Sequence, residues 1–102
     1  MIIEATDKTF DALKAEGVAI IDFYSTHCGP CRALLPTLLD IEGDMPYITL
    51  IKVNTDRCPE LAERYRILSL PTVYLSKDAE MRQVNAYDEE ELRQSLAELL
   101  YS

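Results

Sequence analysis

Two cysteines with two residues between them, Cys28 and Cys31, lie at the junction of two segments with different patterns. The run Val18–Tyr24 before them is apolar except for Asp22 and rich in β-branched residues, which is typical of a central strand buried on both faces. After them, leucines recur at helical spacing from Leu34 onward. This junction predicts a strand, a turn and a helix, with both sulfur atoms at the start of the helix.

The other strands continue an alternating pattern. We predict four of them, at Ile2–Glu4, Ile48–Val53, Thr72–Leu75 and Met81–Asn85. The early β-α-β order predicts parallel strands with right-handed crossovers, whereas the short polar segment before the last strand predicts an antiparallel hairpin. The fold class is therefore α/β, with a central mixed sheet of about four to five strands and about four helices.

Three further helices are predicted from their starting signals. The first is capped by Thr6 or Asp7 and ends near Gly17. The second begins at Pro59, because proline is tolerated in the first turn of a helix. The third follows Asp88, whose spacing from Glu91 resembles a capping box.

Size and charge exclude several classes of function. The chain has 102 residues, so we expect a single domain over 1–102. A net charge of -8 argues against nucleic acid or anionic lipid as a partner. The chain shows neither a basic leader nor an apolar run of about 20 residues, so we expect no signal peptide, no membrane span and a cytoplasmic location. In that reducing compartment, such a cysteine pair is more often redox-active or metal-binding than structural.

The sequence Cys28-Gly29-Pro30-Cys31 suits thiol–disulfide exchange. The positive end of the helix dipole favours a thiolate at Cys28, and a thiolate is the species that attacks a disulfide. Cys31 lies one turn further on and can resolve the mixed disulfide. Gly29 permits a partner's backbone to approach, and Pro30 starts the helix without an unused N–H. We therefore expect Cys28 to be the attacking thiol and Cys31 the resolving thiol.

A zinc site is the alternative for the same motif. A structural zinc ion takes four ligands, and the remaining candidates are Cys58 and the single histidine, His27. His27 is adjacent to Cys28, which makes it hard for both side chains to reach one tetrahedral ion. We expect no metal and no bound cofactor.

Asp22 is the candidate acid–base group. It interrupts an apolar strand, and burying an isolated charge is costly, so its pKa should be raised. A carboxylate of this kind can take the proton from Cys31 when that thiol attacks.

The segment Ile21–Arg32 resembles the active-site strand, loop and helix of thioredoxins, and the resemblance extends over essentially the whole chain. Pro36 matches the proline that kinks that helix in the family, and Leu70-Pro71-Thr72 resembles its cis-proline element. The resemblance implies the thioredoxin fold and a protein dithiol–disulfide oxidoreductase. Its partners would be disulfide-containing proteins and an electron donor of the thioredoxin-reductase type. We expect a monomer.

The resemblance also implies roles for single residues. Asp22 resembles the family's buried carboxylate beneath the resolving cysteine. Lys52 matches the lysine near that acid, although it can also be read as a strand lysine facing solvent. Pro71 is implied to follow a cis peptide that leaves the backbone open to an extended substrate, although a proline there can simply start a strand. Leu70 is implied to contact substrates through an apolar side chain.

The chain departs from the thioredoxin pattern at several positions. His27 stands where thioredoxins usually carry tryptophan; as a cation it would stabilise the Cys28 thiolate, but it can also be a plain surface histidine. Tyr24 replaces a second common tryptophan, and Ala79 and Asn85 stand where glycines are frequent.

Two interpretations remain open for Cys58: a small semi-buried residue, or a regulatory thiol that forms an intermolecular disulfide. Glu4 is interpreted as a solvated charge. Besides a general reductant, two functions stay open, namely a specialised thiol oxidant or isomerase and a binding module that does not use its cysteines.

Overall fold

The computed structural model describes residues 1–101. Its elements, in chain order, are β1 (Ile2–Glu4), α1 (Phe10–Lys14), β2 (Val18–Tyr24), α2 (Gly29–Asp44), β3 (Ile48–Asn54), α3 (Pro59–Arg64), β4 (Thr72–Lys77), β5 (Glu80–Val84) and α4 (Glu89–Leu100). The order of strands and helices is the predicted one. The prediction was accurate because four of the strands are mainly apolar runs bounded by turn residues, while β5, which is largely polar, follows β4 after a short turn.

One five-stranded sheet organises the chain, with strand order β1-β3-β2-β4-β5. β3 pairs in parallel with β1 and with β2, whereas β2–β4 and β4–β5 are antiparallel. The mixed sheet and the hairpin are therefore confirmed. β2 lies at the centre, and its carboxyl end leads into the loop that carries the cysteine pair.

Both faces of the sheet are covered, which explains the nearly continuous apolar pattern of β2. Successive strand residues point to opposite faces, so Ile20 and Ile21 belong to different clusters of buried side chains. Ile20 packs with residues of α2 and α4, including Leu38 and Leu96. Ile21 belongs to the other cluster, which contains side chains of α1 and α3.

The predicted cap of α1 was wrong. Thr9 is the N-cap, and its side chain makes no capping hydrogen bond. The Thr6 hydroxyl accepts from the Thr9 N–H at 3.1 Å and so closes a turn before the helix. The Asp7 carboxylate accepts instead from the N–H of Leu61 at 3.0 Å. Asp7 therefore caps α3, whose first N–H groups have no partner within their own helix.

The β4–β5 turn has an unusual backbone. Asp78 and Ala79 have φ angles of 49° and 76°, a region in which a side chain is sterically disfavoured. The Asp78 carboxylate accepts from the Gly17 N–H at 2.9 Å and ties the turn to the start of β2. At the next helix, Asp88 accepts from the Glu91 N–H at 3.3 Å, which confirms the predicted cap of α4.

Candidate active site

The cysteine pair lies at the start of α2 and is joined in a disulfide, with its Cα atoms 5.2 Å apart. Cys28 is the N-cap, and its sulfur accepts a hydrogen bond from the Cys31 N–H at 3.1 Å. Cys28 is half-buried, whereas Cys31 is buried with 5% of its surface exposed. A partner can therefore approach Cys28 more easily than Cys31. In the reduced protein, the same N–H and the helix dipole favour a thiolate at Cys28.

Asp22, which lines a cleft together with Cys31, is buried, with 2% of its surface exposed. Among residues 1–101, its Oδ1 atom has no hydrogen-bond partner. Burial raises the pKa of Asp22 to about 6, with a smaller lowering effect from Lys52 and a raising effect from Glu4. Asp22 and Cys31 line the same cleft, which has a volume of about 290 Å³. The raised pKa expected from the sequence is therefore found in the structure.

Lys52 reaches the same cleft from β3, directly opposite Asp22 in the strand register. Its ammonium nitrogen lies 4.2 Å from the centre of the Tyr24 ring, a cation–π contact. The Tyr24 hydroxyl donates to Glu4 Oε1 at 2.8 Å. Burial and this hydrogen bond raise the pKa of Tyr24 to about 12. Lys52 therefore contacts an aromatic face beside the acid rather than projecting into open solvent.

Sequence reasoning missed Glu4, which was interpreted as a solvated charge. The side chain is exposed, but it accepts the Tyr24 hydroxyl and its Cα is paired with that of Lys52. The signal that could have found it is a single acid in a strand predicted to lie in the same sheet as Asp22. The register of the strands, which brings the two acids to either side of Lys52, is not visible in the sequence.

The Leu70–Pro71 peptide is cis, as the resemblance implies. Two hydrogen bonds hold this loop: the Tyr87 hydroxyl donates to the Pro71 carbonyl at 3.1 Å, and the Thr72 hydroxyl donates to the Ser69 carbonyl at 2.7 Å. Thr72 is paired with Phe23 near the carboxyl end of β2. The register therefore brings the loop to the sheet end from which the cysteine loop departs.

Both polar and apolar residues are exposed on the surface around the cysteines. His27, Gly29 and Pro30 are exposed, and Leu70 is half-buried. Leu68, which sequence reasoning did not single out, is 95% exposed two residues before Leu70. An apolar side chain so exposed beside the cis-proline loop is available for contact with another molecule.

Cys58 lies away from this pair, at the N-cap of α3. It is buried with 1% of its surface exposed, and its thiol donates to the Ala5 carbonyl at 3.5 Å. Burial raises the pKa of the Cys58 thiol. These features favour the interpretation as a small buried residue over that of a regulatory thiol.

Residues 1–101 contain neither a metal-binding cluster nor a membrane-spanning helix. No group of three or more His, Cys, Asp and Glu side chains is arranged to hold a metal ion. In the same part of the chain, no helix has the length and apolar character needed to cross a bilayer.

A mixed sheet of this order, with a disulfide of the C-x-x-C type at the start of a helix, defines a class of thiol–disulfide oxidoreductases. Comparison with known proteins identifies the family. The thioredoxin family model matches residues 1–102. Thioredoxin of Chlamydia pneumoniae is 37% identical over 78 residues, which cover 76% of each chain. Thioredoxin of Bacillus subtilis is 36% identical over 81 residues, which cover 78% of each chain.

Solved structures agree with this assignment. Oxidised mitochondrial thioredoxin 3 of Saccharomyces cerevisiae superposes with a TM-score of 0.83 and 26% identity, over 95% of this chain and 94% of that one. Thioredoxin of Trypanosoma brucei brucei has the same fold, with a TM-score of 0.89 and 23% identity over 100% and 93% of the two chains. The chain belongs to the thioredoxin family. It is a protein dithiol–disulfide oxidoreductase that acts through the Cys28–Cys31 pair.

Proposed function

We propose that Cys28 and Cys31 act in sequence to reduce disulfides of partner proteins, with Asp22 as proton acceptor. The Cys28 thiolate attacks one sulfur of the substrate disulfide, and the other substrate sulfur leaves as a thiolate that takes a proton from water. Cys31 then gives its proton to Asp22 and attacks the Cys28 sulfur. The Cys28–Cys31 bond forms, and the second substrate sulfur leaves. The substrate gains two electrons and the cysteine pair loses them.

The observation that supports this order is the different exposure of the two cysteine residues. Cys28 is half-buried at the helix start, whereas Cys31 is buried and shares a cleft with Asp22. An attacking thiol has to reach a large partner, but a resolving thiol has to reach only its neighbour. Because burial raises the pKa of Asp22 to about 6, its carboxylate is a better proton acceptor near neutral pH than an ordinary aspartate.

Substrate binding falls to the loops at the same end of the sheet. Leu70 and Pro71 present backbone to an extended segment of the substrate, and Gly29 and Pro30 permit close approach to Cys28. The exposed Leu68 adds an apolar contact at the edge of this surface. Lys52 contributes from the cleft, where its positive charge lowers the pKa of Asp22.

Trapping of the mixed disulfide tests the assigned order. Cys31→Ser should accumulate a covalent complex with a disulfide-bonded protein such as insulin, because the resolving thiol is gone. Cys28→Ser should form no such complex, although it too replaces a single cysteine sulfur by oxygen. Cysteine-dependent complexes formed by Cys28→Ser but not by Cys31→Ser would reverse the assignment.

A specialised oxidant or isomerase is the second candidate, and exposed His27 beside Cys28 favours it. A redox titration of the pair in dithiol buffers separates the two, with alkylation and mass as the readout. A midpoint potential in the reducing range of thioredoxin supports the role of a reductant, which a donor of the thioredoxin-reductase type would reduce again after each turnover. A clearly more oxidising midpoint that returns to that range in His27→Trp supports the second candidate.

The cellular setting belongs to the same proposal. A single thioredoxin domain over 1–102 that works as a cytoplasmic monomer fits a net charge of -8, because like charges on the surface oppose self-association. Sedimentation of the oxidised protein should give one species of monomer mass. A concentration-dependent dimer would contradict this part of the proposal.

A further inference from the structure

Three charged side chains form a row across the sheet near the cysteine pair. Glu4 on β1 is paired with Lys52 on β3, and Lys52 is paired with Asp22 on β2. Paired residues of neighbouring strands point to the same face of a sheet. The row therefore places one cation between two acids, with the buried acid on the side of the cysteines.

Tyr24 crosses over this row. It lies on the same face as Asp22, two residues further along β2, and its hydroxyl reaches Glu4 on β1 at 2.8 Å. Between these two strands lies β3, and the Lys52 ammonium lies 4.2 Å from the centre of the Tyr24 ring. Lys52 forms no ion pair within residues 1–101, because no carboxylate oxygen lies within 4.0 Å of its ammonium nitrogen. The ring contact, rather than a direct ion pair, therefore holds the ammonium in place.

We propose that Glu4 and Tyr24 form a latch that fixes Lys52 beside Asp22 and thereby sets how readily Asp22 takes the proton from Cys31. The latch residues are positioning residues, because they act through Lys52 and touch neither sulfur. The proposal rests on the role given to Asp22 under the proposed function. It assigns a purpose to an exposed glutamate and to the tyrosine that stands in place of a tryptophan.

The physical reason is the distance between Lys52 and the two acids. When the Tyr24 hydroxyl occupies Glu4, that carboxylate is partly satisfied and competes less for the ammonium. Without the hydroxyl, Glu4 draws the ammonium toward β1 and away from Asp22. The proton on Asp22 then becomes harder to remove, because the neighbouring positive charge is more distant.

Other groups also face Asp22 and set the background for this effect. Cys31 and Arg32 of α2 line the same cleft. Tyr87, from the loop before α4, is close enough that Asp22 contributes to raising its pKa. From β4, the residue paired with Asp22 is the apolar Val73. None of these groups contacts Glu4 or the Tyr24 hydroxyl through a hydrogen bond in the part of the chain described, so the two latch residues can be changed separately.

Two substitutions should move the titration of Asp22 in opposite directions. Tyr24→Phe keeps the ring and removes the hydroxyl, and it should raise the midpoint of Asp22 by about half a pH unit. Glu4→Gln keeps an oxygen that accepts from Tyr24 but removes a negative charge, so it should lower the titration midpoint of Asp22. The shift should be only about 0.3 pH units, because Glu4 is exposed to solvent. A general loss of packing would move both in the same direction.

The measurement is carbon-13 NMR of carboxyl-labelled aspartate in the oxidised protein, in which Cys28 and Cys31 do not titrate. Asp22→Asn identifies the signal by removing it. The rate of substrate release from the mixed disulfide, followed against pH in a single turnover, should shift its midpoint in the same direction for each variant. Tyr47→Phe and Glu16→Gln are the matched controls, because both residues are exposed and make none of the contacts described above.

The latch is wrong if the two variants move the Asp22 midpoint in the same direction, or no further than the controls. It is also wrong if the midpoint moves as expected while the pH profile of release stays in place. Failure of the proposed role of Asp22 looks different. Asp22→Asn would then release substrate at the native rate at every pH, whatever the latch variants do.

Discussion

Asp22 illustrates how a single buried side chain can favour chemistry at the expense of stability. Burial raises the pKa of Asp22 to about 6 in the folded protein, whereas its ordinary pKa, which applies to the unfolded chain, is 3.8. Between these values the folded state binds more protons than the unfolded state, so the free energy of unfolding falls as the pH rises. This loss is complete above the folded pKa and absent below the unfolded one.

Between pH 4 and pH 8, we expect the stability of Asp22→Asn to increase relative to that of the native protein by about 2 kcal/mol. The amide cannot ionise, so its own cost of burial is the same at both pH values. Urea unfolding at pH 4, 6 and 8 measures the difference. Asp40→Asn, on the exposed side of α2, is the control and should show no such trend. A stability difference that does not change with pH would mean that Asp22 ionises normally in the folded state.

Cys58 should behave as an inert thiol. Because it is buried and its pKa is raised, we expect iodoacetamide to modify it in the folded protein no faster than the protein unfolds. In the oxidised form, mass spectrometry should find no adduct under native conditions and one adduct in denaturant. Cys58→Ala provides the blank. Rapid labelling of folded protein at Cys58 would restore the regulatory interpretation.

At the scale of single residues, the sequence reveals a residue that breaks a local pattern but not one whose contacts depend on distant parts of the chain. Asp22 was found because a carboxylate in an apolar strand is an anomaly with a physical cost. Glu4 was missed because an acid on a three-residue strand breaks no pattern. Its contact with Tyr24 depends on strand register, which arises from pairing across the sheet.

At the scale of elements, the β4–β5 turn stores strain in Ala79. Its φ angle of 76° lies in the region that favours glycine. We expect Ala79→Gly to raise the free energy of unfolding by about 0.5–1 kcal/mol, the relief of strain being partly offset by the freedom of glycine in the unfolded chain. Ala12→Gly, in the exposed part of α1, should lower it by about 1 kcal/mol. If both variants are destabilised alike in urea, the turn is not strained.

Asp7 links two elements that are far apart in the chain. It accepts from N–H groups at the start of α3, 54 residues beyond it at Leu61. Asp7→Ala should therefore destabilise the protein by about 1 kcal/mol, and hydrogen exchange should accelerate in α3 rather than in α1. Asp7→Asn keeps an accepting oxygen and should retain most of the stability. Faster exchange confined to α1 would instead indicate that Asp7 caps α1.

Helices and strands were predictable because apolar spacing and turn residues are local signals. The caps were predictable only where the partner is local, as for Asp88 and Glu91. Asp7 has the right residue type for a cap, but a sequence pattern cannot say which helix it caps. The nearest helix start was the natural choice, and it was wrong.

For the whole molecule, the sheet separates two clusters of buried side chains that the central strand joins. Ile20 and Ile21 are adjacent in sequence, fully buried and on opposite faces. We expect Ile20→Ala and Ile21→Ala each to cost about 2–5 kcal/mol and to lower one and the same unfolding transition. Circular dichroism and calorimetry should give coincident midpoints. Two separable transitions in either variant would show that the faces unfold independently.

The mixed character of the sheet was predictable, since alternating segments require crossovers and a short polar link requires a hairpin. The order β1-β3-β2-β4-β5 was not, because nothing local says that β1 pairs with β3. That pairing is what brings Glu4 into the row with Lys52 and Asp22. The part of the site that depends on strand order is therefore the part that required the structure.

The hydrogen bond between Tyr24 and Glu4 also has an optical consequence. The chain has six tyrosines and no tryptophan, so its ultraviolet emission comes from phenol rings alone. We expect a carboxylate that accepts from a phenol hydroxyl to quench the fluorescence of that ring, so Tyr24 should contribute little emission while it is bonded to Glu4. Any event that releases that hydroxyl should increase the tyrosine fluorescence of the protein. The change can be measured without an added dye, and no tryptophan band overlaps it.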